Sequence, residues 1–229
     1  MNHIRSLLLT PFLLSIGLSM SAQQIEEGKG ADNEANRYMN RADVDRLIDA
    51  FESPDRVRWQ KPNEVIALFG NLEGKTVMDL GAGSGYFTFR LANHGAHVIA
   101  ADVNDEFQES IQEKLGKEDL KELRNKIELR KVPYDSPMLQ REEVDGILLV
   151  NTYHHIDDRI QYMKNALPGI KKGGRVVIVD FKTGTPYGPP DSHKLDLMEA
   201  ANEMLEVGFT RLIIDVGMLD RQYVIIGEK

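Results

Sequence analysis

The 229-residue sequence contains no cysteine. This absence excludes a disulfide framework, a lipid-modified cysteine and a cysteine-ligated metal site. Histidine and aspartate are concentrated at His154, His155, Asp157 and Asp158, but adjacent side chains rarely converge on one ion, and no second cluster at an accepted spacing accompanies them. We therefore expect no metal site.

The chain has fewer basic than acidic residues. It contains 28 lysine and arginine residues and 36 aspartate and glutamate residues, for a formal net charge of -8. A protein that binds nucleic acid usually carries a basic face. The lysine-rich stretch 114–131 does not supply one, since acidic residues are interleaved with it, as in a solvated helix face. Nucleic acid is therefore excluded as a partner, and a small-molecule substrate is expected.

Long apolar runs are absent except at the beginning of the chain. Arg5 precedes an apolar stretch at residues 7–18, and small residues follow at 19–22. The stretch is short and interrupted by Pro11, so it is typical of a signal peptide rather than a membrane span. We expect residues 1–22 to be cleaved and the protein to be exported, periplasmic or secreted, with no stable membrane span after processing. The alternatives are an uncleaved anchor with the domain facing the cytoplasm and a cytoplasmic chain that starts later.

The rest of the chain is long enough for one domain with a full core. Residues 23–36 are polar and predict a flexible lead-in, and residues 37–229 form the predicted domain. Helical spacing of apolar residues within 37–70 predicts amino-terminal helices that cap the domain.

The family resemblance given below implies that the cap covers a ligand cleft, and it makes four residues candidates for a lid that excludes water: Tyr38, Arg56, Trp59 and Gln60. The alternative is structural: Trp59, the only tryptophan, would be a packing anchor between helices, and Arg56 would be a surface ion-pair partner.

Short apolar runs predict the strands of a parallel sheet at residues 77–80, 97–101, 144–150 and 175–179. Polar residues follow these runs, at the carboxyl edge where open α/β sheets bind ligands. The pattern predicts a doubly wound, Rossmann-like α/β sheet, mostly parallel, with helices on both faces.

The first of these runs leads into the turn Asp79-Leu80-Gly81-Ala82-Gly83-Ser84-Gly85-Tyr86. Its glycines allow a sharp turn and a close approach to a ligand. Asp102, about 20 residues later, can accept hydrogen bonds from ribose hydroxyls. A nicotinamide site would have glycine in place of Tyr86, and the chain also lacks a Tyr-x-x-x-Lys pair. Asp79 suits a cationic ligand with an amino-acid end.

The turn resembles the first motif of class I S-adenosylmethionine-dependent methyltransferases of the type 11/25 kind, and Asp102 resembles their ribose-binding acid. The segment 167–175 is similar to the turn before their fifth strand. The segment 206–209, together with the two apolar runs that follow it, is similar to their closing helix and antiparallel hairpin. Asn151 to Ile156 looks like the motif after strand four in the quinone-biosynthesis branch. The resemblance covers about residues 60–229 and implies an antiparallel C-terminal strand.

The resemblance also implies roles for individual residues. Gly81, Ala82, Gly83 and Gly85 would approach the amino-acid part of S-adenosylmethionine, with Asp79 near its ammonium group. Asp102 would hold the ribose. The remaining residues assigned to the cofactor are Tyr86, Val103, Asn151 and Asp135, of which Val103 would pack on the adenine and Asp135 would face its amino group or simply form a turn.

His154 is the candidate catalytic residue, because it follows the fourth strand and an imidazole can accept a proton from the methyl acceptor. The alternative is a structural histidine. His193 and Tyr187, in the loop 180–193, could contact the substrate. The sequence does not identify the methyl acceptor. Trivalent arsenic is disfavoured because its methylation depends on thiolates and the chain has no cysteine. The alternative function is a non-catalytic exported ligand-binding domain that keeps the fold.

Overall fold

The computed structural model describes residues 36, 37, 39 and 42–229. The predicted signal segment 1–22, the lead-in except Asn36, and Tyr38 lie outside the described residues. Within the described part, no helix is long and apolar enough to cross a bilayer.

The domain is built on one seven-stranded sheet with the order β3-β2-β1-β4-β5-β7-β6. Its strands are β1 (Thr76–Leu80), β2 (His97–Asp102), β3 (Ile127–Lys131), β4 (Val144–Val150), β5 (Ile170–Phe181), β6 (Arg211–Asp215) and β7 (Gln222–Glu228). The first five run parallel, while β7 is antiparallel to both β5 and β6. The predicted fold class is confirmed, including its antiparallel C-terminal strand.

Helices cover both faces of the sheet. The α-helices are α1 (Val44–Phe51), α2 (Arg56–Gln60), α3 (Pro62–Ala67), α4 (Tyr86–Asn93), α5 (Asp105–Leu115), α6 (Arg159–Ala166) and α7 (Leu197–Val207). Short 3-10 helices occupy Glu118–Leu123, Tyr153–His155, Leu167–Gly169 and Asp191–His193. Residues of α3, α4 and α5 pack in one apolar core and residues of α6 and α7 in the other, because alternate side chains of each strand point to opposite faces.

Side-chain caps fix the start of several helices. The acceptors are Asp43 for α1, Asn104 for α5, Asp158 for α6 and Asp196 for α7. Helices α2, α3 and α4 have no side-chain cap. Helix α4 starts directly after the glycine-rich turn, so its first backbone amides lie at the carboxyl edge of the sheet.

Strand β5 begins five residues before the apolar run that predicted it, at Ile170 instead of Arg175. Val144 pairs with Ile170, and the pairing then shifts so that Gly146 pairs with Arg175. The sequence analysis interpreted 167–175 as a turn because of its lysines and glycines. The structure instead accommodates the extra residues as an irregularity within the strand.

Candidate cofactor and acceptor site

The turn between β1 and α4 is held against the end of β2 by backbone hydrogen bonds. The amides of Gly81 and Ala82 both donate to the carbonyl oxygen of Ala101, at 2.8 and 3.0 Å. The amide of Gly83 donates to the Asp102 carboxylate at 2.8 Å. The structure thus brings together the turn and the acid that the sequence assigned to one ligand.

Each glycine of the turn has positive φ: 76° at Gly81, 52° at Gly83 and 83° at Gly85. A Cβ at Gly81 would lie 2.4 Å from Thr152 Oγ1, and one at Gly85 would lie 2.8 Å from the Phe89 ring. At Gly83 the nearest atoms belong to the Phe51 ring, at 3.4 Å. Protein packing therefore requires glycine at two positions, while Gly83 faces a roomier space under α1.

Asp102 is buried and its carboxylate accepts from two backbone amides. Besides Gly83, the amide of Asn104 donates to it at 2.9 Å. Burial raises the pKa of Asp102, and the backbone donors oppose that rise. The two donors fix the orientation of the carboxylate, whose oxygens have further lone pairs for ligand hydroxyls.

Asp79 lies at the buried end of β1, where Thr88 Oγ1 donates to its carboxylate at 2.7 Å. Burial raises the pKa of Asp79 to about 6, against the opposing effects of the Thr88 hydroxyl and the Arg56 guanidinium. Ionisation of this carboxylate therefore costs free energy in the ligand-free protein, and a ligand cation beside it would lower that cost.

Arg56 is buried instead of forming a surface ion pair, so that alternative is wrong. Its Nη1 donates to the Phe51 carbonyl at 2.8 Å, and its guanidinium lies 4.1 Å from the centre of the Tyr86 ring. Burial lowers the pKa of Arg56 to about 10. Arg56 therefore joins the cap to the glycine-rich turn.

Two buried polar atoms of the turn, Ser84 Oγ and Tyr86 Oη, have no hydrogen-bond partner among the described residues. Buried polar groups in proteins are usually satisfied, so such atoms indicate a place where a bound molecule or water completes the structure. Together with the uncapped start of α4, they fit a polar ligand at the turn.

A buried hydrogen-bond chain extends from the cap to the end of β4. Gln60 in α2 accepts from Arg56 and donates to Gln222 Oε1 at 3.0 Å. Gln222 in turn donates to Asn151 Oδ1. Asn151 has positive φ, 57°, and its amide donates to Val179. The chain places Asn151 beside β5 and β7 and ties it to α2.

Of the two residues assigned to the adenine side, Val103 is half-buried and packs against the core beneath β2. Asp135 is exposed, in the segment after β3. Burial raises the pKa of Tyr162, and the charges of Asp135 and Asp102 raise it further. The charges of Asp135 and Asp102 thus both act on Tyr162, and the assignment of Asp135 to the adenine side stays a prediction.

His154 pairs with Asp180 at the end of β5. Its Nδ1 lies 2.8 and 2.9 Å from the two carboxylate oxygens, and its backbone amide donates to the same carboxylate at 3.2 Å. Both side chains are at least 95% buried, with 5% and 1% exposed. The pairing orients the imidazole, with Nδ1 as the donor and Nε2 left as the basic nitrogen.

His155 has a different environment from its neighbour. Its Nδ1 lies 3.1 Å from Asn36 Oδ1, and Asn36 donates to its carbonyl at 3.1 Å. Burial, and then the adjacent His154, lower the pKa of His155 to about 3. The lowered pKa favours the neutral form of His155.

Trp59 packs the cap against the ends of β5 and β7. Its ring stacks on Phe181, with centroids 6.0 Å apart, and lies 5.2 Å from the Arg221 guanidinium. The next basic residue, Lys61, donates to the Met218 carbonyl at 2.8 Å. Residues 59–61 thus bind the ends of β5 and β7 and the connection between β6 and β7.

Sequence reasoning did not assign the partners that complete this site. Asp180, Gln222 and Thr152 contact assigned residues, but they come from three separate strand ends. The polar position Asp180 at the end of an apolar run was the signal available for one of them. Gln222 carried no signal, because only the pairing of β7 with β5 brings it to this edge.

Known proteins share this architecture. The profile of the family described as "Methyltransferase domain" matches residues 78–178. A solved S-adenosylmethionine-dependent methyltransferase from Aquifex aeolicus superposes on the chain with a TM-score of 0.70 at 24% identity, covering 82% of this chain and 99% of that one. The fold of the chain is therefore that of these methyltransferases.

Two curated relatives match about half of the chain. A demethylmenaquinone methyltransferase from Clavibacter sepedonicus is 28% identical over 110 residues, which are 48% of this chain and 42% of the relative. A ubiquinone biosynthesis O-methyltransferase from Nitrosomonas europaea is 27% identical over 115 residues, 50% of this chain and 47% of the relative. The chain thus matches less than half the length of these relatives. The comparisons agree with the enzyme class and the cofactor predicted from the sequence.

Proposed function

We propose that this protein binds S-adenosylmethionine and transfers its methyl group to a small-molecule acceptor. The observation that carries the proposal is the buried Asp102 carboxylate, oriented by the amides of Gly83 and Asn104 at the edge of the glycine-rich turn. When bound, S-adenosylmethionine supplies a methyl group on a positively charged sulfur that is already a good leaving group.

In this proposal each side of the site binds one part of the cofactor. Asp79, whose carboxylate is costly to bury without a cation, faces the ammonium group, and Asp102 accepts from the ribose hydroxyls. Gly81, Gly83 and Gly85 let the turn approach the amino-acid part. Val103 and Asp135 take the adenine side, and Tyr86 and Asn151 complete the walls of the site.

The contribution of the protein to the reaction is alignment, exclusion of water and, for an acceptor that must lose a proton, a base. His154 is that base, with Asp180 holding Nδ1 and Nε2 receiving the proton. The cap residues Arg56, Trp59 and Gln60 close the site on the side of α2. The similarity to enzymes of quinone biosynthesis supports an acceptor of that general kind.

The alternative, a non-catalytic binding domain, is less favoured. A domain that had lost catalysis would not need both buried carboxylates, the strained turn and an oriented His154–Asp180 pair. Export and cleavage of residues 1–22 stay predictions, since those residues lie outside the described part of the chain.

Calorimetric titration of the full chain with S-adenosylmethionine and S-adenosylhomocysteine tests the proposal. We expect micromolar binding of both, weakened at least tenfold by Asp102→Ala because charge-assisted hydrogen bonds are lost. Asp105→Ala, at a largely exposed aspartate nearby, is the matched control and should bind as the wild type does.

His154→Gln should keep cofactor binding but lower turnover with a responsive acceptor about a hundredfold or more. If the folded protein binds NADH and neither methyltransferase ligand, the proposal fails.

A further inference from the structure

Arg221, in the connection just before β7, contacts two aromatic rings. Its guanidinium lies 5.2 Å from the centre of the Trp59 ring and 4.2 Å from that of Tyr187. Trp59 comes from the cap and Tyr187 from the loop after β5, so three distant segments meet here. We call Arg221, Trp59 and Tyr187 the arginine cluster.

The guanidinium makes no hydrogen bond and no ion pair with any described residue. Its contacts with the rings attract its positive charge but leave its five N–H donors without an acceptor. Arginine uses these donors, in a planar fork, to bind carboxylate and phosphate oxygens in pairs.

Neighbouring lysines at this edge already have protein acceptors. Lys182 Nζ donates to three carbonyl oxygens of the connection between β6 and β7, at 2.8, 2.8 and 3.1 Å. Lys61 donates to Met218, and Lys194 to Thr185 and Asp191. Arg221 differs from these lysines because its side chain has no acceptor among the described residues.

The arginine cluster lies on the acceptor side of the site. The Arg221 carbonyl accepts from the amide of Lys182 at 3.1 Å, two residues after the Asp180 that holds His154. The next residue, Gln222, is the one that binds Asn151. Arg221 and the His154–Asp180 pair therefore lie at the same edge of the sheet, at the ends of β5 and β7.

We propose that Arg221 binds an anionic group, a carboxylate or a phosphate, on the methyl acceptor. The inference rests on the proposed function and restricts it to acceptors that carry such a group. The cluster positions the guanidinium through Trp59 and Tyr187, so the anion is held at a fixed place relative to His154.

The single tryptophan of the chain makes this proposal directly measurable, because all tryptophan fluorescence comes from Trp59. The full chain without cofactor is titrated with benzoate, with phenyl phosphate and with neutral benzyl alcohol. We expect a saturable fluorescence change with one or both anions and none with the alcohol. The two anions distinguish a carboxylate from a phosphate site.

Arg221→Gln should abolish the change, and Arg221→Lys should weaken the apparent affinity about tenfold because the paired donors are lost. Arg211→Gln, which removes the same charge from an exposed strand position, is the control and should respond as the wild type does. An unchanged response in Arg221→Gln, or no saturable response in the wild type, overturns the proposal. Titration of each variant with S-adenosylmethionine separates this failure from a failure of the proposed function.

Discussion

At the scale of single residues, the site concentrates buried charge that the protein alone does not fully compensate. Asp79 and Asp102 are both buried, and burial raises the pKa of each. Arg56 is buried beside them with a lowered pKa. Such groups reduce the stability of the empty fold, and a cationic ligand with hydroxyl groups recovers that free energy on binding.

Asp79→Asn should stabilise the cofactor-free protein while it weakens S-adenosylmethionine binding. The pKa of Asp79 in the folded state, about 6, lies above its unfolded value of 3.8, so the ionised carboxylate destabilises the fold most above pH 6. From this difference we expect the free energy of unfolding to rise by up to about 3 kcal/mol at pH 8. The gain should shrink as the pH falls from 6 toward 3.8, and below that value the wild-type group becomes protonated in the unfolded state as well as in the folded one.

Urea denaturation at pH 8, 5.5 and 4.5 measures this effect. The control is Asp191→Asn, because Asp191 is exposed and the hydrogen bond from Lys194 lowers its pKa, so that this variant should gain no stability. A stabilisation of Asp79→Asn that does not change with pH would contradict the assigned cause.

At the scale of elements, the turn between β1 and α4 combines two requirements that the sequence shows only as a run of glycines. Gly81 and Gly85 are required because Thr152 and Phe89 occupy the space that a side chain would need. Gly83 has no such close neighbour, and its amide is engaged by Asp102. We therefore expect substitutions at the three glycines to differ in their effects on stability and on ligand binding.

Alanine substitutions should separate these requirements. Gly81→Ala and Gly85→Ala should each cost more than about 3 kcal/mol, since strained backbone is combined with a steric clash. Gly83→Ala should cost only about 1–2 kcal/mol, the cost of positive φ, but should weaken S-adenosylmethionine binding. Gly184→Ala, at φ 71° with open space around it, is the matched control for backbone cost without loss of binding. Equal binding by the Gly83 and Gly184 variants would argue against a cofactor at this turn.

At the scale of the whole molecule, the sheet order brings the site together. β1 and β4 are neighbours near its centre, so the carboxyl half of β1 supplies Asp79 and the residue after β4 supplies Asn151. β2 adds Asp102 on one side, and β5 with β7 adds Asp180 and Gln222 on the other. The cap then closes this edge through contacts of residues 59–61 with the end of β7 and the connection before it.

Because the proposed ligand contacts so many segments, its binding should stabilise the entire domain. At a concentration one hundred times the Kd, S-adenosylmethionine should add about 2.7 kcal/mol, which raises the Tm of a domain of this size by about 5–10 °C. Differential scanning fluorimetry of the full chain measures the shift. NADH should produce none, and Asp102→Ala should show a much smaller shift at the same concentration. A shift with NADH alone would favour a nicotinamide site.

The sequence by itself determined the sheet class, the glycine-rich turn and the acidic residue at the end of β2, because these depend on local patterns of apolar runs, glycines and strand ends. Only the tertiary structure decided that Arg56 is buried, that Asp180 orients His154 and that Gln60, Gln222 and Asn151 form one chain. Those contacts join residues up to 162 positions apart. They depend on strand register and on where the cap docks, and neither is encoded in the spacing of residues along the chain.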